Sequence, residues 1–356
     1  MGTVPAVPAR RPLRTVAAVV GAAGGFVAVS TAYRVRRHRR RPAEVRERHE
    51  VQLEPRPSGA GVVVVVNQGA GSADGDLPTT LQEALPAAVV LVEEDPSGIP
   101  ARLEEAAGDP ATRVLGVAGG DGTLSAAAAV ASDRDLPLLA IPAGTLNHLA
   151  QDLAVRSAED AVAAVQAGSA IAVDLARIGD RTFVNTASFG SYTELVDARE
   201  ALEDQIGKWP AVVVAGWRVL RRGTPVAVEL DGVPTRLWMA FIGNCRYEPE
   251  GFAPSHRPRL DDGLLDIRWI DADQPLGRLR LVAGLLLGRL GRSPVYHEHT
   301  ATRLVVRSTD GPLRLACDGE TFDAAAEVVV EKAGEQVVLY RVVPDGTGSP
   351  AVGTAR

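Results

Sequence analysis

Two glycine-rich breaks constrain this chain more than anything else in it. Val117-Ala118-Gly119-Gly120-Asp121-Gly122-Thr123 and Ile141-Pro142-Ala143-Gly144-Thr145-Leu146-Asn147-His148 each carry an apolar strand pattern into a turn and then into a helix-like segment. Such turns set bare backbone N–H groups beside a helix N-terminus, an arrangement suited to phosphate. Glycine lets the ligand approach because it has no Cβ. A pair of them in a βαβ context describes a crevice at the carboxyl ends of parallel strands.

The flanking pattern agrees. Gly61 to Val66 is a β-branched run ending in Asn67-Gln68-Gly69-Ala70-Gly71, and Val89 to Val92, Val114 to Ala118 and Leu136 to Ile141 are further short apolar strands. Helical patterns lie between them, around Leu81, over Arg102 to Ala107, over Leu124 to Ala131, and over Asn147 to Leu153 and Ala158 to Gln166. After Gly168 the character changes to strand-like segments with turn dipeptides such as Asp231-Gly232 and Asp310-Gly311, mainly antiparallel β. Thr182 to Thr186 reads as one such strand. Two helical insertions are expected, Glu194 to Arg222 and Leu276 to Leu290; the second is strongly apolar and reads either as a core helix or as the lining of a lipid entrance.

The predicted layout is therefore an α/β nucleotide domain over 61–168, Rossmann-like, followed by a mainly antiparallel β domain over 169–343. Ahead of it stand a hydrophobic segment with a basic cluster over 1–41 and a linker over 42–60, and a disordered tail follows over 344–356. Thr15 to Tyr33 carries no charge and is followed by Arg34, Arg36, Arg37, Arg39, Arg40 and Arg41, which predicts an N-terminal membrane helix with the remainder on the cytoplasmic side. An interfacial tail and a signal peptide are the rivals, the latter disfavoured because the charge follows the apolar run.

Composition excludes several classes. A formal net charge of −6 argues against general nucleic-acid binding. Lys208 and Lys332 are the only lysines and neither sits in a Gly-x4-Gly-Lys-Ser/Thr loop, so a P-loop NTPase is excluded. Cys245 and Cys317 form no metal spacing. His297-Glu298-His299 has no third ligand nearby and reads as a surface or cleft element.

Gly119-Gly120-Asp121-Gly122-Thr123 resembles the GGDGT signature shared by diacylglycerol, sphingosine and NAD kinases, and Pro142-x-Gly-Thr-x-Asn147 resembles the second signature of the diacylglycerol/lipid kinase branch. The resemblance runs roughly from Val62 to Val343 and implies that the domain over 169–343 is a β-sandwich, with the active site in the cleft between it and the α/β domain. It implies ATP held by Asn67, Gln68, Gly69, Ala70 and Gly71, by Gly119, Gly120, Asp121, Gly122 and Thr123, and by Gly144, Thr145 and Asn147. Taken as ordinary structure, Asp121 is a helix cap and Asn147 caps the next helix. Asp318-Gly319-Glu320 resembles the family's late D-G-E motif, in which the glutamate is the base that deprotonates the lipid hydroxyl; Glu320 takes that role, with Asp318 orienting it or the metal. The alternative for these residues is a plain hairpin turn. Arg259-Leu260-Asp261-Asp262-Gly263-Leu264-Leu265-Asp266 resembles a stretch that holds a structural Mg²⁺, which would place the ion on Asp262 and the carbonyls of Arg259 and Leu264. Ala126, His148 and Phe189-Gly190-Ser191-Tyr192 depart from the common pattern and leave the acceptor's identity open.

The resemblance implies an ATP- and Mg²⁺-dependent phosphotransferase with an alcohol acceptor, a lipid hydroxyl at the cytoplasmic membrane face. A homodimer is a further expectation. NAD kinase is the second reading, though it does not account for Pro142-x-Gly-Thr-x-Asn147 or the D-G-E motif. A catalytically silent nucleotide- or lipid-binding sensor is the third.

Overall fold

The structure is a computed structural model. It describes residues 50–68, 77–144, 147–190, 224–248, 256–286 and 290–343. The expected N-terminal membrane helix, the helix over 194–222, Gly69, Ala70, Gly71, Thr145 and the tail all lie outside the described residues.

β1 (Glu50–Gln52) pairs with a later strand. The α/β half then runs through β2 (Val62–Asn67), α1 (Leu77–Ala84), β3 (Val89–Glu93), α2 (Ile99–Gly108), β4 (Val114–Gly119), α3 (Asp121–Asp133), β5 (Leu138–Pro142), α4 (His148–Asp152) and α5 (Ala158–Ala167). β3, β2, β4 and β5 lie side by side and parallel. The five valines of β2 and the whole of β4 are buried, as strands covered on both faces must be. α5 is closed at both ends: Ser157 accepts from Asp160 N–H, and Gly168 follows in the left-handed conformation.

The second half is β6 (Ser169–Ile178), β7 (Arg181–Phe183), β8 (Thr186–Gly190), β9 (Val226–Leu230), β10 (Val233–Asn244), β11 (Leu265–Asp271), α6 (Gly277–Leu286), β12 (Tyr296–Ala301), β13 (Arg303–Ser308), β14 (Leu313–Cys317), β15 (Glu320–Ala324) and β16 (Glu327–Tyr340). Its pairings are antiparallel, apart from the return of β16 to the first half. The mixed α/β architecture with a β-rich second half is as expected. Among the described residues two large hydrophobic cores form, one under the parallel strands and one among β8–β10, β13 and β14, with a small third cluster at Ile270, Val295 and Tyr296. β6 and β16 thread both: β16 pairs with β13 and β6, and its end joins β5 in parallel at Leu339 opposite Leu138. That single long strand ties the halves together.

The segment 182–186, expected as one strand, is two. The ladder breaks at Val184-Asn185 because three successive N–H groups there, on Val184, Asn185 and Thr186, turn to the carboxylate of Asp318. β16 runs without a break over Glu327–Tyr340, across a register shift against β6 between Lys332 and Gln336. Among the described residues no helix is long and apolar enough to cross a membrane.

Candidate active site

The two glycine turns meet. A Cβ on Gly144 would lie 2.5 Å from the Cα of Gly120, so the backbones are in contact and Gly144 cannot be anything larger without parting them, whereas a Cβ on Gly120 would meet Gly144 only at an ordinary 3.7 Å. Gly119 is confined as Gly144 is, with Thr123 where its Cβ would be. From there α3 starts with Gly120 in the N-cap position and no side chain closing it, so its first N–H groups and its dipole face the crevice. Asn67, at the end of β2, donates from Nδ2 to Thr123 Oγ1 at 3.2 Å, which brings the first turn to the same helix start. Gln68 is exposed and its N–H bonds the Glu93 carbonyl.

Asp121 does cap a helix, but not its own. Its Oδ1 accepts from His148 N–H at 3.1 Å, the start of α4, and from Asn185 Nδ2 at 3.0 Å. Asn147, left-handed at φ 47°, makes no side-chain cap bond, the first of the two roles open to it. Its amide instead closes the second turn by accepting from Gly144 N–H at 3.0 Å and donating to Gly144 O at 2.6 Å. The second turn is thus held both by the first turn's aspartate and by its own asparagine.

Asp318 and Gly319 are consecutive residues with positive φ, 45° and 95°, forming the two-residue turn that joins β14 to β15 with Cys317 opposite Glu320. The hairpin and the functional reading coincide here, because the turn is what projects Glu320. A Cβ on Gly122 would lie 2.8 Å from Glu320 Oε1, so the glutamate overhangs the first turn of α3. Its side chain is 67% exposed, with Arg181 Nη1 at 3.9 Å. Asp318 does something different from the expected orientation of Glu320 or of a metal. It is buried, and its oxygens accept from the N–H groups of Val184, Asn185 and Thr186 at 2.8, 3.0 and 2.8 Å. Burial pushes its carboxyl up to about 6, against the pull of those N–H groups and with a further upward push from Asp121. Asp318 therefore acts on the site through the backbone it pins, including Asn185, whose amide reaches Asp121.

Three residues escaped the sequence reading. Asn185 bridges Asp121 and Arg257. Arg257, fully buried, donates from Nε to Asp152 at 2.8 Å and from Nη2 to Asn185 Oδ1 at 2.8 Å, and reaches the carbonyls of Val184 and Asn244. It joins the α/β half to the β-rich half directly beneath the crevice. Arg181, with its guanidinium 4.2 Å over the Phe322 ring, stands beside Glu320. Nothing in local pattern separates Arg181 or Arg257 from the many other arginines.

The loop expected to hold a structural ion is tied by its own bonds. Asp262 accepts from Leu264 N–H at 3.0 Å and from Arg246 N–H at 2.9 Å, and the Leu264 carbonyl accepts from Cys245 N–H. Arg259 pairs with Asp261 at 3.0 Å. Asp174, Cys245 and Asp262 bring their donor atoms within 4.8 Å of one another. Burial pushes the Cys245 thiol up to about 12, so it presents S–H rather than thiolate. The residues present fit a divalent ion poorly, because an ammonium already stands at Asp174 beside them and each Asp262 oxygen accepts one backbone N–H. His297 stacks on Trp269 with ring centroids 5.0 Å apart and lies 3.6 Å from Asp271, consistent with a surface element.

Parallel strands that end in two interlocked glycine turns, with an open helix N-terminus between them, define an α/β protein with a crevice at the carboxyl ends of its strands, overhung by Glu320. The diacylglycerol kinase catalytic domain matches residues 61–178. A probable YegS-like lipid kinase of Stenotrophomonas maltophilia is 31% identical over 235 residues, covering 61% of this chain and 75% of that protein. The Xanthomonas oryzae counterpart is 34% identical over 239 residues, with 61% and 75% coverage. A putative diacylglycerol kinase from Bacillus anthracis superposes with a TM-score of 0.61 at 21% identity, covering 79% of this chain and 97% of that one, which speaks to fold alone. The chain belongs to the diacylglycerol kinase catalytic-domain family, among relatives described as probable lipid kinases.

Proposed function

We propose that the protein transfers the γ-phosphoryl group of ATP to the hydroxyl of a diacylglycerol-like lipid at the cytoplasmic face of the membrane. The observation that carries this reading is the overhang of Glu320 on Gly122, where both glycine turns converge. The phosphates would lie against the N–H groups at the start of α3, over Gly119 to Thr123, with Gly144, Asn67, Gln68, Gly69, Ala70, Gly71, Thr145 and Asn147 completing the nucleotide's surroundings. Mg²⁺ would arrive with the nucleotide and neutralise phosphate charge, and Asp121 is the nearby carboxylate with lone pairs to spare for it. Glu320 takes the acceptor hydroxyl's proton as that oxygen bonds to phosphorus and the bond from phosphorus to the ADP oxygen breaks. Arg181, 3.9 Å from Glu320, meets the charge on the transferring group. The N-terminal apolar segment and its arginines would hold the crevice at the membrane, raising the local concentration of acceptor.

The test is transfer of labelled γ-phosphate from ATP with Mg²⁺ into a total bacterial lipid extract, by wild type and by Glu320→Gln. Label in a lipid with wild type alone supports the reading, and its migration gives the acceptor class. Label in a soluble dinucleotide replaces it with an NAD kinase. ATP binding with no transfer replaces it with a sensor.

A further inference from the structure

We propose that the ammonium of Lys332 is the resident cation of the loop at 259–264, which keeps its shape with no bound divalent ion. The loop gathers negative charge: Asp174 and Asp262 present their oxygens within 4.8 Å of each other and of Cys245 Sγ. Lys332 Nζ lies 3.1 Å from Asp174 Oδ2 and 3.5 Å from Cys245 Sγ, and it donates to Asn244 Oδ1. Those neighbours engage all three donors of an ammonium. The lysine side chain is 9% exposed and that of Asp174 8%, so the pair is shielded from water.

The backbone is arranged to deliver it. β16 slips register against β6 between Lys332, opposite Ala176, and Gln336, opposite Asp174. The irregularity turns both side chains to the same carboxylate, and Gln336 Nε2 donates to Asp174 Oδ1 at 2.7 Å. Gly263 N–H bonds Asp174 Oδ2 at 2.7 Å, which fastens the loop to the neutralised aspartate. A chain that otherwise relies on arginine places one of its two lysines here. A compact ammonium fits between three acceptors where a planar guanidinium does not. A divalent ion drawn to Asp262 would have to share the cluster with that positive charge.

The inference is independent of the acceptor, and it is tested on full-length protein without nucleotide. Mn²⁺ titration followed by electron paramagnetic resonance is expected to show no bound ion that Asp262→Asn removes. The melting temperature is expected to be the same in EDTA and in millimolar Mg²⁺. One Mn²⁺ bound by wild type and lost in Asp262→Asn, or a melting temperature lowered by EDTA, overturns the proposal. Lys332→Met is expected to melt earlier, and adding Asp174→Asn to it should restore part of that loss, because the lysine's task is to neutralise charge. No restoration in the double variant also overturns it. If Lys332→Met does not fold, the wild-type titration decides alone.

Discussion

Replacing Gly144 with alanine tests whether the contact between the two glycine turns sets the crevice. The added Cβ would sit 2.5 Å from the Gly120 Cα, 3.0 Å from Asn147 Oδ1 and 3.2 Å from the Gly120 backbone nitrogen. Carbon atoms rest at about 3.5–4.0 Å, so the turns must part by roughly 1 Å. The obstacle is backbone, and the amide of Asn147 is itself committed to both polar atoms of Gly144. Overpacking of this kind costs about 1–3 kcal/mol of stability. The larger effect falls on geometry: a 1 Å displacement of groups aligned for reaction costs on the order of 100-fold in rate. Gly122→Ala is the control, because its Cβ meets only the movable end of Glu320, at 2.8 Å. Kinase turnover and thermal melting should show Gly144→Ala losing both rate and stability. Gly122→Ala should keep its melting temperature while losing rate through a displaced Glu320. Gly144→Ala with turnover within about threefold of wild type would refute the contact's role.

Further variants divide the remaining roles. Glu320→Gln should lower turnover by about 10²–10⁴-fold, the range for a general base, and leave the melting temperature unchanged because the side chain is 67% exposed. Arg181→Gln should lower turnover more than it weakens ATP binding, measured by single-turnover kinetics against nucleotide titration. Arg257→Met should cost about 3–5 kcal/mol by denaturant unfolding, since it strands Asp152 and Asn185. Asp318 carries a carboxyl raised from 3.8 to about 6, so its contribution to stability is fully present below about pH 4 and is lost as pH rises through about 6. That loss amounts to at most about 3 kcal/mol. Asp318→Asn should be less stable throughout, for want of an acceptor facing three N–H groups, and should show a shallower decline between about pH 4 and 6 in urea unfolding.

The parallel strands and both glycine turns were legible in the sequence because their signals are local: β-branched runs buried on both faces, and glycines where a Cβ has no room. The hairpin that projects Glu320 was legible for the same reason, since Asp-Gly is a turn by its own conformational preference. Only the tertiary structure decided what the polar side chains do. Asp121 caps α4 rather than α3, Asn147 closes its own turn, Asp318 pins 184–186 and so splits an expected strand, and Arg257 fastens one half to the other. A carboxylate or guanidinium satisfies whichever donor or acceptor folding brings within about 3 Å, and those partners lie far off along the chain. Lys332 makes the point most plainly. In sequence it is a basic residue near the end of a strand pattern, and only the slip of β16 against β6 turns it onto Asp174.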